Sequence, residues 1–177
     1  MALDRWKTLS TKLVIRNPWW SYILDTVRGA GGREGEYHFV RTPGSVIIVP
    51  VRDDGAIVMV RQYRYLMERE SLEFPAGGMK EGEAPAERAR RELIEETGMD
   101  GSIEFVGRFN PCKGIIDEWS HVFIARDLMP SNEFHKDDSE EFEIDAHQPS
   151  EIDRMIRENE IADGMTMAAW AMVAGKV

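Results

Sequence analysis

Short runs of apolar residues separated by turn-forming residues dominate the first part of the chain. The two most continuous runs, 45–52 and 56–64, are joined by Asp53-Asp54-Gly55, which is typical of a β-hairpin turn. Runs rich in β-branched and aromatic residues predict further strands at 12–16, 22–28, 36–41, 103–109, 120–127 and 143–146. The pattern therefore predicts eight strands in all.

Three segments have helical spacing instead. The first follows Pro85, which suits a first helical turn, and stops at Gly98, which can end a helix in the left-handed conformation. Ser150 is a good cap for the second, and the third covers 165–173. The elements together predict an α/β fold, with a mixed sheet between helices and a small antiparallel sheet at the N-terminus.

Length and composition suit one domain with a small appendage, so we divide the chain into an N-terminal β-sheet region at 1–43 and a main domain at 44–177. The net charge is −10 and no basic stripe occurs, so we expect no nucleic-acid partner. The sequence has no long apolar run and no secretory h-region, so we expect no membrane association and a cytoplasmic location. Cys112 is the only cysteine, which excludes an internal disulfide.

The first predicted helix carries a cluster of carboxylates. Glu92 and Glu96 are four residues apart and share a face, and Glu95 is three residues from Glu92. Such a cluster repels itself unless a cation lies within it, and hard divalent cations take oxygen ligands. The alternative is a solvated helix, in which Arg88 pairs with Glu92 and Arg91 pairs with Glu95 on the surface.

The stretch 77–99 resembles the Nudix box of the Nudix hydrolase superfamily. At ordinary residue frequencies such a match arises by chance at roughly one start position in 10⁸ or fewer. The matching positions are Gly77, Glu83, Arg91, Glu92, Leu93, Glu95, Glu96, Gly98 and Met99. The resemblance implies a Nudix-type α/β/α sandwich and hydrolysis of a nucleoside diphosphate linked to another moiety.

The resemblance also assigns roles within the box. It implies that Glu92 and Glu96 bind Mg²⁺ or Mn²⁺, with Glu95 as a further ligand or catalytic neighbour. It implies that Arg91 pairs with Glu83 and holds the loop against the helix. The positions with a structural role are Gly77, Glu83 and Gly98.

The residues before the box resemble those of the branch that acts on ADP-ribose and nucleotide sugars. Glu73-Phe74-Pro75-Ala76-Gly77 matches its E-x-P-A-G lead-in, in which the carbonyl at Ala76 is a further metal ligand. Gln62-Tyr63-Arg64 resembles its Q-x-R segment, whose arginine reaches the substrate phosphates. The substrate contacts that we predict are Arg41, Arg64 and Glu73, and the alternative for Arg64 is a strand-end arginine in solvent.

One position departs from the pattern of the ADP-ribose-specific members. Pro111 lies closer to the box than their characteristic proline, and Gly114 falls near the expected place. The departure concerns substrate choice and leaves the chemistry of the box intact.

The adjacent Trp19 and Trp20 have two interpretations. They could belong to the core, or one ring could be exposed to stack on a base or to pack in a dimer interface. The resemblance favours the second interpretation, because this branch exchanges its N-terminal sheet between the subunits of a homodimer and binds the base there.

The catalytic base has three candidates. The acidic run Asp137-Asp138-Ser139-Glu140-Glu141 could be a solvated loop. In the branch that the chain resembles, a glutamate at this place acts as base or extra metal ligand, which points to Glu140 or Glu141. Glu118, in the loop after Pro111, is the competing candidate.

The sequence thus predicts a metal-dependent pyrophosphatase for nucleoside diphosphate sugars of the ADP-ribose or GDP-mannose type. The products would be a nucleoside monophosphate and a sugar phosphate. The alternatives are hydrolysis of a dinucleoside polyphosphate or NADH, and a non-catalytic sensor of nucleotide sugars.

Overall fold

The computed structural model describes residues 5–133 and 142–177. Within these ranges the chain forms eleven strands and three helices, with short 3₁₀ turns at Ala30–Gly32 and Tyr65–Met67. The strands and helices are β1 Lys7–Arg16, β2 Ser21–Arg28, β3 Glu34–Arg41, β4 Ser45–Pro50, β5 Ile57–Arg64, β6 Arg69–Glu73, β7 Ala76–Gly78, α1 Pro85–Thr97, β8 Met99–Phe109, β9 Ile116–Asp117, β10 Ser120–Pro130, β11 Glu143–His147, α2 Pro149–Arg157 and α3 Gly164–Val173. The predicted α/β class is confirmed.

The chain divides into two compact units. The first takes the described residues up to Pro43 together with Asn110–Trp119, and the second takes Gly44–Phe109 and the described part of Ser120–Val177. The boundary that the sequence predicts, between 43 and 44, assigns the segment 110–119 to the main domain. In the structure this segment belongs to the unit of the N-terminal sheet.

The first unit is a four-stranded sheet in the order β1-β2-β3-β9. The first three strands are antiparallel, as predicted, and the two-residue strand β9 lies parallel to β3, where Val40 is the partner of Ile116. The hydroxyl of Tyr37 donates to the carbonyl of Gly114 at 3.0 Å, which ties the same segment to β3.

The second unit contains two sheets. The mixed sheet has the order β7-β4-β10-β8, with β4 and β10 parallel and the other pairs antiparallel. The second sheet, β11-β5-β6, is wholly antiparallel. Strands β4 and β5 meet through an isolated bridge between Val51 and Ile57, close to the turn that the sequence predicts.

Strand β4 lies between two hydrophobic cores, which explains its unbroken apolar sequence. Its residues alternate between the two faces of the sheet. Ile47 and Val49 face a core that includes residues of β5 and of helices α2 and α3, whereas Val46 and Ile48 face a smaller core. The smaller core holds Ala89 and Leu93 of α1, Phe123 and Ala125. Helix α1 is thereby fixed on one face of the mixed sheet.

The helix boundaries follow local signals. Pro85 begins α1, and Gly98 ends it with φ of +69°, as predicted. The expected cap of α2 at Ser150 is wrong, because Gln148 is the cap residue and forms a reciprocal capping box with Glu151. No helix in the described ranges combines the length and apolar character of a membrane span.

Candidate active site

Helix α1 carries two of its glutamates into the interior. Leu93 is fully buried in the smaller core and sets the rotation of the helix. Glu92 and Glu96 are only 4% and 7% exposed, whereas the side chain of Glu95 is 52% exposed. The structure therefore brings two of the three predicted carboxylates inward and leaves the third facing solvent.

The backbone of β7 passes directly beside these two carboxylates. The N–H of Ala76 donates to Oε2 of Glu96 at 3.1 Å. A Cβ at position 77 would overlap the carboxylate of Glu92 where it lies, so glycine permits this close approach. The backbone at Ala76, whose carbonyl is a predicted metal ligand, thus lies beside the two buried glutamates.

An ion pair at the exposed end of the site holds the loop before α1. Arg91 pairs with Glu83, as the resemblance implies. Oε2 of Glu83 also accepts from the N–H of Lys80 at 2.7 Å, so the carboxylate links the helix to the loop backbone. We infer that Arg91 positions the loop.

Arg88 pairs with Glu92, but not as a surface ion pair. Its side chain is 18% exposed and that of Glu92 is 5% exposed. Nη1 of Arg88 also lies 3.9 Å from Oε2 of Glu95. The spacing of four residues was visible in the sequence, but the burial of the pair was not. Arg88 is therefore a site residue that the sequence interpretation underestimated.

The donor set fits a hard divalent cation. Among residues 5–133 and 142–177, no three His, Cys, Asp or Glu side chains come close enough to form a metal cage by themselves. The buried Oε1 of Glu92 has no hydrogen-bond partner, although it contacts Arg88. Two buried carboxylates beside a peptide backbone supply only oxygen ligands, which Mg²⁺ and Mn²⁺ prefer. Glu92, Glu96 and the carbonyl of Ala76 are the residues that would hold such an ion, with water completing its coordination.

Arg64 and Glu73, both predicted to contact substrate, are paired with each other. Nε of Arg64 donates to Oε1 of Glu73 at 2.8 Å, and Nη2 contacts the second oxygen, which gives a forked pair. Glu73 is 4% exposed. The hydrogen bond that Arg64 donates to Glu73 raises the pKa of Arg64 above its ordinary value, and burial opposes this effect. Arg61 points elsewhere and pairs with Asp145 at 2.9 Å, as strand alternation predicts.

A cavity of about 470 Å³ adjoins this pair within the second unit. Its wall includes Arg64, Glu73, Phe74, Ala76, Asp163 and Thr166. The side chain of Asp163 accepts from the N–H of Thr166 at 2.7 Å and begins α3. The cavity thus has a guanidinium on one side and the Ala76 peptide, which also contacts Glu96, on another. The contribution of α3 could not be seen in the sequence, because it depends on packing between distant segments.

The remaining predicted substrate residues lie in the first unit. Trp19 and Trp20 occupy the turn between β1 and β2 and are 74% and 39% exposed, so the core interpretation is wrong. Nε of Arg41 donates to Asp117 at 2.8 Å, and its guanidinium lies 5.3 Å from the centre of the Phe39 ring. A contact of these residues with substrate stays a prediction.

The first unit also has a cavity of its own, of about 410 Å³. Asp25 and Asn110 line it, and each has a buried Oδ1 without a hydrogen-bond partner. Nδ2 of Asn110 donates to the carbonyl of Glu118 at 2.6 Å, which fixes the orientation of the amide. No local pattern predicts this cavity, because it forms where 110–119 returns to the N-terminal sheet.

The candidate bases are divided between described and undescribed parts of the chain. Glu140 and Glu141 lie outside the described residues. Glu118 lies in the first unit, where its Oε2 accepts from the hydroxyl of Thr42 at 3.0 Å.

Comparison with known proteins identifies the family. The NUDIX domain model matches residues 41–168. The chain is 31% identical over 165 residues to an ADP-ribose pyrophosphatase of Bacillus subtilis, covering 92% of this chain and 89% of the relative. It is 32% identical over 166 residues to a methanol dehydrogenase activator of Bacillus methanolicus, with the same coverage of 92% and 89%.

A solved structure supports the fold. The crystal structure of an ADP compounds hydrolase aligns with a TM-score of 0.84 at 21% identity and covers 99% of this chain and 95% of that chain. The family model and the relatives agree with the intact box, to which the buried glutamates of α1 belong. The chain therefore belongs to the NUDIX family, in the branch that includes the ADP-ribose pyrophosphatases.

Proposed function

We propose that the protein hydrolyses the diphosphate bond of ADP-sugars, with ADP-ribose as the first candidate, to AMP and a sugar phosphate. The observation that carries the proposal is the buried pair Glu92 and Glu96 against the backbone at Ala76 and Gly77. The family and the relatives named ADP-ribose pyrophosphatase support the substrate class. Hydrolysis of GDP-mannose and other nucleotide sugars is the wider form of the same proposal.

The residues of the site divide the work between holding a cation and holding the substrate. A bound Mg²⁺ or Mn²⁺ would neutralise the diphosphate and lower the pKa of the attacking water. Glu92 and Glu96 supply negative charge for that ion, and the N–H of Ala76 fixes the orientation of Glu96. The protein carries a net charge of −10, so an anionic substrate needs such local positive charge.

Arg64 is suited to bind a phosphate oxygen of the substrate. A guanidinium has five N–H donors, and the forked pair with Glu73 uses two nitrogens on one edge. The donors on the other edge are left for an anion in the adjoining cavity, while Glu73 prevents the side chain from turning away. Glu73 is therefore a positioning residue in this proposal.

The proton acceptor is proposed to be Glu140 or Glu141, with Glu118 as the competitor. Each is replaced by Gln in turn, and kcat and KM are measured for ADP-ribose. We expect kcat to fall strongly at Glu140 or Glu141 while KM changes little. A strong loss at Glu118 alone would move the base to the loop 110–119.

Glu96→Gln tests the proposed function most directly. The substitution removes charge with little change of shape, so it should reduce kcat roughly a hundredfold or more. The melting temperature should stay the same or rise, because a buried negative charge is removed. Glu87→Gln is the matched control, since Glu87 lies on the same helix and is exposed. Near-normal turnover by Glu96→Gln would contradict the proposal.

A substrate panel separates the proposal from its alternatives. ADP-ribose, GDP-mannose, UDP-glucose, NADH and diadenosine polyphosphates are compared with Mg²⁺, with Mn²⁺ and with a chelator. The highest kcat/KM should be for ADP-ribose, with no turnover in chelator. A non-catalytic sensor would bind ADP-ribose without turnover, but the intact carboxylates of the box argue against this outcome.

We further propose that the protein is a homodimer with an exchanged N-terminal sheet. All ten residues of β1 are exposed in the single chain, among them Leu13 at 53% and Ile15 at 55%. A second subunit would cover these apolar side chains and pair with this edge strand. Light scattering at micromolar concentration measures the assembly, and a fully active monomer would defeat this proposal.

A further inference from the structure

The pair between Arg88 and Glu92 differs from the other arginine–glutamate pair with the same spacing. Arg154 and Glu158 of α2 are also four residues apart in the same order, but their side chains are 45% and 55% exposed. In the first pair the corresponding values are 18% and 5%. An arginine placed before its glutamate is the less favourable order on a helix, because it brings the cation toward the positive N-terminal end. Helix energetics therefore do not explain why the buried pair exists.

The buried pair is also incompletely satisfied. Nη2 of Arg88 contacts Oε1 of Glu92, whereas Nε of Arg88 is buried without a hydrogen-bond partner. The carboxylate of Glu92 also lies so close to Gly77 that a Cβ at position 77 would overlap it. The carboxylate of Glu92 thus lies between the guanidinium of Arg88 and the strand that also places Ala76 beside Glu96.

We propose that Arg88 is a positioning residue that holds Glu92 until a divalent cation replaces it. This inference rests on the metal site of the proposed function. Glu92 and Glu96 are two buried carboxylates on one helix face, and Arg88 neutralises one of them in the absence of metal. The guanidinium and the metal compete for Oε1 of Glu92, so metal binding displaces Arg88 and the arginine lowers the apparent metal affinity.

Metal affinity and unfolding are the readouts that separate this role from a merely structural one. Mn²⁺ and Mg²⁺ dissociation constants are measured by calorimetry on wild type, Arg88→Ala and Arg88→Lys, without substrate. Arg88→Ala should bind metal at least about tenfold more tightly, because the competing cation of a buried pair is gone. Arg88→Lys should lie between the two, since it keeps the charge but loses the fork.

The metal-free protein should respond in the opposite direction. Without Arg88, Glu92 is a buried charge with no counter-ion, so metal-free Arg88→Ala should melt below wild type. Saturating metal should remove most of this difference. In a Glu92→Gln background the substitution of Arg88 should no longer lower the melting temperature of the metal-free protein, since the charge it compensates is absent.

Two control variants account for simpler explanations. Arg90→Ala removes one positive charge from the same helix, but Arg90 pairs with Asp100 and not with Glu92. It reports the long-range effect of charge, and its metal dissociation constant should stay within about twofold of wild type. Arg154→Ala removes the exposed pair with the same spacing and should leave metal affinity unchanged.

Each outcome decides for or against the inference. Unchanged or weaker metal binding by Arg88→Ala would overturn it, as would an equal gain in Arg90→Ala. If Arg88→Ala does not fold, Arg88→Lys must show tighter metal binding than wild type, and unchanged affinity overturns the inference. Turnover is measured separately, so normal ADP-ribose hydrolysis with unchanged metal affinity defeats this inference and leaves the proposed function standing. If Arg88→Ala binds metal more tightly but the wild-type protein does not hydrolyse ADP-ribose, the inference stands and the proposed function is defeated.

Discussion

Strands β1 and β4 both carry large apolar side chains but have opposite environments. All six residues of β4 are buried, and all ten residues of β1 are exposed. Strand β4 has a neighbour on each edge and a hydrophobic core on each face, whereas β1 is an edge strand. The comparison shows that hydrophobicity alone does not determine burial, which requires a covering element within the chain or on a partner.

The largest effect expected from this comparison is on stability. Ile48→Ala should destabilise the protein by about 2–5 kcal/mol, because Ile48 is fully buried and its loss leaves a cavity beside α1. Ile15→Ala, at a position 55% exposed, should cost less than about 0.5 kcal/mol in a monomeric state. Urea unfolding at low protein concentration measures both. Equal losses would show that the two strands are not as different as their exposure indicates.

The next effect is on self-association. Ile15→Asp should weaken the proposed dimer at least about tenfold, because it replaces an exposed apolar side chain that a second subunit would cover with a charge. Sedimentation over a range of concentrations measures the dissociation constant. Ser10→Asp adds the same charge at a polar, exposed position of β1 and should have a smaller effect. Identical dissociation constants for both variants and wild type would exclude β1 from the interface.

The smallest effect is on the pH dependence of stability. His121 of β10 lies opposite Val46 of β4, and burial lowers the pKa of His121 below its ordinary value, with a further contribution from Arg108. As the pH falls, His121 therefore binds a proton near pH 6.5 in the unfolded chain and only at a lower pH in the folded protein. Stability should fall as pH drops from about 6.5 through the folded pKa of His121.

His121→Gln should reduce that slope while stability above pH 7 changes little. Urea midpoints between pH 5 and 8 provide the measurement. If the pH dependence of stability is unchanged by the substitution, another titratable group causes it. His121 would then not be affected by the burial that surrounds β4.

The features that the sequence predicts correctly are those with local causes. Helix α1 and its ends depend on Pro85, Gly98 and the apolar positions between them, all within one segment. The spacing of Glu92 and Glu96 is a property of any helix, so their common face could be stated before the structure. The exposed side chain of Glu95 follows from the same geometry once Leu93 is known to be buried.

The features that the sequence does not reveal depend on contacts between distant segments. Strand β9 has two residues and pairs with β3 across more than seventy positions, and such a short strand has no pattern of its own. The burial of Arg88 likewise has no signal in the spacing of the helix, since exposed Arg154 and Glu158 have the same spacing. Neither the separation of β5, β6 and β11 into a second sheet nor the exposure of Trp19 had a local signal.

The segment Asn110–Trp119 limits how this protein can be divided or recombined. The chain leaves the first unit after Pro43, enters it again at Asn110 and leaves it once more after Trp119. A fragment that begins at Gly44 would keep Ile116 but lose Val40, its partner on β3. A chimera with one junction near residue 43 would pair the N-terminal sheet of one relative with the returning segment of another. The first unit therefore has to be exchanged as a matched set of two separate stretches of sequence.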